Sequence, residues 1–527
     1  MKKKKNETSN KYSKNKKKKS HKKKNEFNIL EYKEQSNIEE NQEKTSIEKQ
    51  NIEKSNNEKQ NQPIWTITYL FLGFFLLVII HIIRFIAFDA KSVISNTYNK
   101  RTDLLAEQVV RGDILTSDGK RIATTVIEDG KEVRSYPYGT LYAHVGGYLP
   151  NGKAGLELYA NYYLLSSHTS IFERISLSLQ SEKYQGDQII TTIDSNLQQV
   201  CYDVLGDSKG AVVILEPDTG KILAMVSKPD YDPNEIELVW NEIIEEEESQ
   251  SALLNRATSG KYPPGSTFKT ITALELIREN TKYEDCIYDC KGNAIFHSVS
   301  VQCANGKAHG TVTLKDALAY SCNGYFVSAG ITLDQDKLKQ LTKDFYFDKK
   351  LEFELPYVQS QYYLEGSSEL GYIPQTVFGQ GDTTISPLHN AMIYATIANS
   401  GIMMKPYLID SIESVDGYLV KKFSSEIIAK PLTVKEAEVL SESLEGVCDY
   451  GTGKSLNNTS YDVIGKTGTA QYGTLGNEHG WFVGYSYYEN PDIVVSILIE
   501  DVGTTGVYPV NCAKRIFDAY YEMKTES

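Results

Sequence analysis

KYPPGSTFKTITALELI, residues 261–277, places a Pro-Pro-Gly break directly ahead of an amphipathic run. Phe268, Ile271, Leu274 and Ile277 recur at helical spacing, so the pattern predicts a helix that begins near Ser266. A helix start offers free backbone N–H groups and the positive end of the dipole, which favour a developing negative charge. Lys269 follows at i+3, on the same face. Two readings fit. Ser266 is a nucleophile with its base one turn away, or it is only an N-cap. The bare Ser-x-x-Lys spacing also occurs at Ser13, Ser20, Ser46 and Ser117, so spacing alone does not choose between them.

Upstream, KGAVVILEPDTGKILAMVS (209–227) reads as two apolar strands around a PDTG turn. Downstream, YDVIGKTGTAQY (461–472) reads as a strand. GWFVGYSYYENPDIVVSILIED (480–501) reads as a hairpin turning at Asn490-Pro491-Asp492, and CAKRIFDAYYEMK (512–524) as a closing helix. Between the two strand groups the chain is mostly helical. The expected fold is α+β: an antiparallel sheet built from both ends of the domain and flanked by helices, with a mainly helical subdomain inserted. The domain is expected over 196–527. Residues 89–195 form a smaller mixed α/β module, or pedestal. In it RGDILTSDGKRIATTV (111–126) is strand, turn at Ser117-Asp118-Gly119, strand, and GLELYANYYL (155–164) is helical.

Residues 1–62 are low in complexity. They hold 18 Lys and 10 Glu, about +8, which leaves about −21 for the rest of a chain of net charge −13. Glu-Lys recurs every five residues from 43 to 59, a period that makes no apolar stripe, so disorder is expected. The lysine block either contacts anionic lipid or is a solvated tail. The large acidic remainder speaks against nucleic-acid binding. IWTITYLFLGFFLLVIIHII (64–83) is apolar and long enough to span a bilayer, and we place the transmembrane helix at 64–88. Trp65 and Tyr69 suit one interface and Arg84 the other. A cleaved signal peptide is the competing reading, disfavoured by the long apolar core and the tail ahead of it. Lys and Arg are nearly balanced across the span; the distal lysine block favours the tail inside.

Seven cysteines follow the span, too few and odd in number for a disulfide scaffold. The spacing of Cys286, Cys290, Cys303 and His309 suggests zinc only loosely, because C-x3-C is wider than a zinc ribbon. A Cys290–Cys303 disulfide is preferred if the domain lies outside. No metal ion or cofactor is expected.

Fifty-five residues after Ser266 comes AYSCNGYF, with Ser321 and Asn323; 145 residues further on comes GKTGTA, with Lys466, Thr467, Gly468 and Thr469. The ordered set S-x-x-K, S-x-N, K-T-G is far more specific than any one member. With it stand RGDIL, GKAGLE, ILEPDTGKILAMVSKPDYDPN, NRATSGKYPPGSTFK, HGTVTLKDALAYSCN, GQGDTTISPLHNA and HGWFVGY. On these residues the chain resembles the class B penicillin-binding proteins, monofunctional D,D-transpeptidases of the DD-peptidase/β-lactamase-like superfamily, over roughly residues 111–522.

Acyl transfer to a serine needs a base, a proton relay, a carboxylate anchor and an oxyanion hole. Lys269 can be the base if burial and the charge of Lys466 lower its pKa. Ser321 can pass a proton to the leaving amine, and Asn323 can orient the substrate amide. Lys466 with the hydroxyls of Thr467 and Thr469 can hold a terminal carboxylate. Gly468 is expected to let the strand backbone approach the substrate. The resemblance implies an oxyanion hole from the N–H groups of Ser266 and Thr469.

The resemblance further implies D-Ala-D-Ala stem peptides as substrate, β-lactams as acylating ligands, and a single-pass membrane protein. Its N-terminus would be cytoplasmic and its catalytic domain extracytoplasmic. Residues 89–195 leave no room for a glycosyltransferase, so a membrane polymerase is the expected partner. Serine β-lactamases share the three-part site, but no E-x-x-L-N segment of class A lies between the second and third motifs, and class D enzymes carry S-x-V. A β-lactam receptor or an idle wall scaffold are the remaining alternatives.

Overall fold

The computed structural model describes residues 44–54, 63–86 and 101–526, with breaks at 181, 246–250, 297, 365, 367, 458–459, 473–476, 488–490 and 506–507. Residues 1–93 and 94–527 form two separate units.

In the first unit, Pro63–Arg84 is one apolar helix of 22 residues. At 1.5 Å per residue it is about 33 Å long, enough to cross the hydrocarbon core of a bilayer. Residues 87 and 88 of the expected span lie outside the described residues. So does most of the lysine-rich tail. Residues 44–54, expected to be disordered, are helical and exposed. The five-residue repeat builds no apolar stripe, yet it sets Lys44 four residues before Glu48 and Lys49 four before Glu53, opposite charges on one helix face.

The second unit is organised by an antiparallel five-stranded sheet: β1 (Gly210–Leu215), β2 (Ile222–Lys228), β3 (Asp462–Tyr472), β4 (Asn477–Tyr487) and β5 (Pro491–Ile499). The order is β3-β4-β5-β1-β2, so chain segments more than 200 residues apart lie side by side at β5 and β1. β1 is buried along its whole length. Period-2 alternation sends Ala211, Val213 and Leu215 into one core and Val212 and Ile214 into the other. Two helices, α1 (Ser195–Leu205) and α6 (Pro509–Glu526), cover the second face, with Leu197, Leu205, Ile516 and Phe517 packed on Phe482 and Ile497. On the first face lies α4 (Pro387–Ala398), apolar and buried nearly all round, as a helix enclosed on every side must be. The antiparallel sheet with inserted helices is the expected fold. Pro491 and Asp492, expected in the last turn, already belong to β5; the third expected turn residue, Asn490, lies outside the described residues.

Three further helices position the site: α2 (Lys269–Glu279), α3 (Asn323–Gly330) and α5 (Val434–Asp449). α5 opens with a capping box in which Thr433 and Glu436 satisfy each other's backbone N–H groups.

The pedestal strands Ile114–Leu115, Arg121–Glu128, Lys131–Ser135 and Gln188–Thr191 share one sheet with Ile409–Glu413 and Leu419–Lys422. A hairpin from the later part of the chain thus completes the pedestal sheet, which a boundary at residue 195 does not anticipate. GLELYANYYL is helical but broken at Ala160 into two short helices. Glu157 is fully buried there. It accepts from Arg111 Nε at 2.6 Å and from Arg134 Nε at 2.7 Å. Burial alone would raise its pKa; Arg111 and then Arg134 outweigh that and hold the carboxyl below its usual range. These contacts tie the RGD and GLE segments together.

Candidate active site

Ser266 sits in a 3-10 turn, Gly265–Thr267, that runs directly into α2. The turn depends on Gly265, whose φ is +54° and whose N–H donates to Gly379 O at 2.8 Å. A Cβ there would lie 2.6 Å from the carbonyl oxygen of Thr469, so the same glycine lets the nucleophile's turn press onto β3. Trp481 Nε1 donates to Pro263 O at 3.1 Å, and Tyr262 OH donates to Glu500 Oε1 at 2.7 Å. Arg256 Nε reaches the same carboxylate oxygen at 2.8 Å. The Pro-Pro-Gly segment is thereby held on β4 and on the residue that follows β5.

Lys269 is fully buried. Its Nζ donates to Asn323 Oδ1 at 2.6 Å, to Ser321 O at 2.8 Å and to Ser321 Oγ at 3.1 Å. Burial pulls its pKa down to about 7, and nearby Cys322 and Cys303 partly oppose the shift. The direction is the expected one, but burial is the cause. The repulsion between the two lysines falls on Lys466, whose pKa burial and then Lys269 lower well below the usual lysine range. Lys466 is also fully buried, and its Nζ donates to Thr467 O at 3.0 Å.

Ser321 follows the short helix Leu314–Ala319 with φ +55°, a left-handed conformation rare for a residue with a side chain. Its N–H bonds to Leu318 O at 3.2 Å and that of Cys322 to Ala317 O at 2.9 Å, which closes the helix end. The strained position, worth about 1–2 kcal/mol against an ordinary residue, directs Ser321 back to Lys269. Ser321 is therefore both a helix-terminating residue and a partner of the buried lysine. Asn323 opens α3, and its Nδ2 donates to Gln302 O at 2.7 Å.

Lys466, Thr467, Gly468 and Thr469 lie on β3, the edge strand of the sheet. Strand alternation puts Lys466 and Gly468 on one face and the two threonines on the other, so the set expected to hold a carboxylate is divided across the strand. At Gly468 a Cβ would meet Thr267 Cγ2 and Trp481 Cβ at 3.1 Å, so the glycine also lets the strand lie against the nucleophile's own turn.

The sequence reading missed Thr452. Its Oγ1 accepts from Thr467 Oγ1 at 2.6 Å, and its N–H donates to Ala319 O at 3.0 Å. It thus joins the K-T-G strand to the segment that carries Ser321. The only local signal is the Gly451-Thr452-Gly453 turn after α5. The expected Cys290–Cys303 disulfide is not present: the sulfurs are 3.7 Å apart and unbonded, where a disulfide needs about 2.05 Å. Cys286 lies elsewhere, its Sγ accepting from Asn280 Nδ2 at 3.0 Å.

Comparison with known proteins agrees with this geometry. Residues 210–521 match the penicillin binding protein transpeptidase domain, and residues 111–189 the penicillin binding protein A dimerisation domain. The peptidoglycan D,D-transpeptidase PbpA of Mycolicibacterium smegmatis is 31% identical over 444 residues, covering 79% of this chain and 89% of that protein. Penicillin-binding protein 3 of Bacillus subtilis is 30% identical over 427 residues, 73% of this chain and 62% of that one. Among solved structures, the imipenem acyl-enzyme of penicillin-binding protein A from M. tuberculosis superposes with a TM-score of 0.73 at 29% identity, covering 80% of this chain and 100% of that one. The D,D-transpeptidase domain of a peptidoglycan glycosyltransferase from Eggerthella lenta gives 0.71 at 30% identity, covering 79% and 98%. With the three motifs gathered around one buried lysine and both domains matched, the chain belongs to the penicillin-binding protein transpeptidase family, as a class B member.

Proposed function

We propose that this chain is a membrane-anchored peptidoglycan D,D-transpeptidase acting through an acyl-enzyme on Ser266. The observation that carries the reading is Lys269: buried, with a pKa near neutrality, one turn from Ser266 and bonded to both Ser321 and Asn323. As Ser266 Oγ attacks the carbonyl of a terminal D-Ala-D-Ala bond, Lys269 takes its proton. The N–H groups of Ser266 and Thr469 receive the oxyanion. Collapse breaks the C–N bond, and the proton passes from Lys269 through Ser321 to the departing D-Ala amine. A stem-peptide amine then attacks the ester, gives its proton back along the same path, and frees Ser266. Asn323 aligns the peptide amide. Lys466 meets the terminal carboxylate, whose arrival favours the charge that burial disfavours, and Thr467 and Thr469 add hydroxyls at the strand edge. β-lactams would acylate the same Ser266; penicillin-binding protein A from M. tuberculosis forms penicillin G and imipenem acyl-enzyme complexes.

In this reading residues 1–62 are a cytoplasmic tail, 64–88 the membrane anchor, 89–195 the pedestal and 196–527 the catalytic domain outside the membrane. Glycan strands come from a separate membrane polymerase. External protease on protoplasts should remove the catalytic domain and spare the tail; a protected catalytic domain would reverse the topology. The activity is tested with an acyl-D-alanyl thioester and a D-amino acid acceptor. Wild type should form the exchanged amide and Ser266→Ala none; a wild type that only hydrolyses the thioester is not a transpeptidase.

A further inference from the structure

β3 is an edge strand, so every second residue turns its main-chain N–H and C=O away from the sheet. At one place a side chain closes that edge. The Gln380 amide faces Gln471. With its nitrogen toward the acceptor and its oxygen toward the donor, Nε2 donates to Gln471 O at 3.3 Å and Oε1 accepts from Gln471 N at 3.2 Å. The opposite orientation exchanges both bonds for one longer contact, Nε2 to Thr469 O at 3.5 Å. Two bonds to one residue are what a neighbouring antiparallel strand makes. Gln380 thus takes the place of one residue of such a strand.

The loop that carries Gln380 is fixed on both sides. Gly379 and Gly381 have φ of +82° and +75°, a turn that side chains on those two residues would strain. Gln380 N–H donates to Gln375 O at 3.0 Å, and Gly379 N–H to Thr376 O at 3.0 Å. A Cβ on Gly379 would lie 2.1 Å from Gly265 O, and Gly379 O accepts from Gly265 N–H, so the loop is pressed against the turn that carries Ser266. Gln380 itself is half-buried. Two adjacent residues therefore hold the nucleophile's turn and the K-T-G strand at once.

Residues two apart on a strand turn their main-chain groups the same way, so Thr467 and Thr469 face the same edge as Gln471. With a donor's terminal carboxylate at Lys466 and Thr467 and its acyl carbonyl at Thr469 N–H, its upstream residues run toward Gln471, antiparallel to β3. Every second residue of an antiparallel pair exchanges both bonds. After the acyl D-alanine opposite Thr469, the next residue to pair is two positions earlier, opposite Gln471, about 7 Å along the strand. Gln380 stands there. We propose, on the transpeptidase reading, that Gln380 is a specificity-determining residue: it fills the pairing position at Gln471, so that a donor stem is strand-paired to β3 through its acyl D-alanine alone. The D-alanine is read by its main chain. The residue two positions earlier leaves the strand, and its linkage there need not be that of an ordinary α-peptide.

The test uses the full chain and two N-acylated tripeptide thioesters that end in D-alanine. They are alike except that one carries an ester oxygen in place of the N–H of the residue two positions before the D-alanine. Thiol release with a D-amino acid acceptor gives kcat/KM for each. Wild type should treat the two donors alike, within about twofold. Gln380→Ala, with the edge at Gln471 uncovered, should prefer the amide donor by about three- to tenfold, the value of one net hydrogen bond. A wild type slowed threefold or more by the ester oxygen would mean that the donor displaces Gln380, and would overturn the proposal. So would a Gln380→Ala protein with no preference between the donors. A wild type that neither thioester acylates overturns the transpeptidase reading and this assignment with it, whereas acylation that the ester oxygen slows overturns this assignment alone.

Discussion

Lys269 Nζ stands 2.6 Å from Asn323 Oδ1, so the first and second motifs meet at a direct, partly buried hydrogen bond. An amide oxygen accepts from a neutral or a charged amine, while burial disfavours the charge. Lys269 should therefore act as a base near neutrality. The rate of β-lactam acylation is predicted to rise as pH increases through about 7, where the lysine loses its proton. Lys269→Ala should be almost inert at every pH. Stopped-flow acylation across a pH series measures both; a flat profile, or wild-type rates in the variant, would take Lys269 out of the chemistry.

Lys466 should behave differently. It is buried on the edge strand and its proton is disfavoured until a carboxylate arrives. Lys466→Ala should weaken carboxylate-bearing ligands by the value of one charged hydrogen bond, about 1.5–3 kcal/mol, or roughly ten- to 150-fold. Acylation by a ligand without that carboxylate should fall much less. Equal losses for both ligands, in the same kinetic assay, would assign Lys466 to the proton path instead.

Local chemistry explains what could be read in advance. The Pro-Pro-Gly break, the 3.6-residue period after Ser266 and the apolar runs at 210–228 and 462–499 are short-range signals, and each element appears in the structure. What escaped depends on contacts between distant segments. Strand Ile409–Glu413 pairs with Gln188–Thr191 across more than 200 residues, and nothing in either stretch names the other. Thr452 matters through Thr467 and Ala319, and Gly468 through Thr267 and Trp481. Cys322 stands inside S-x-N, and only the fold brings its sulfur to that of Cys303.

The pedestal offers a test of stability rather than chemistry. Glu157→Gln keeps the volume but leaves Arg111 and Arg134 facing each other in a buried site without their counter-charge. A loss of about 3–5 kcal/mol is expected, the usual cost of removing one partner of a buried ion network. Denaturant unfolding of the purified protein measures it. A change under 1 kcal/mol, roughly that of a surface pair, would show that the network contributes little.

Ser266 is expected to be acylated and its acyl-enzyme to wait for an amine rather than for water. Intact-protein mass spectrometry after penicillin treatment tests it most directly. Wild type should give one stoichiometric adduct, mapped to Ser266 and persisting for minutes or longer, and Ser266→Ala none. An adduct that vanishes rapidly while the antibiotic is consumed over many turnovers, or one that forms equally on Ser266→Ala, would contradict it.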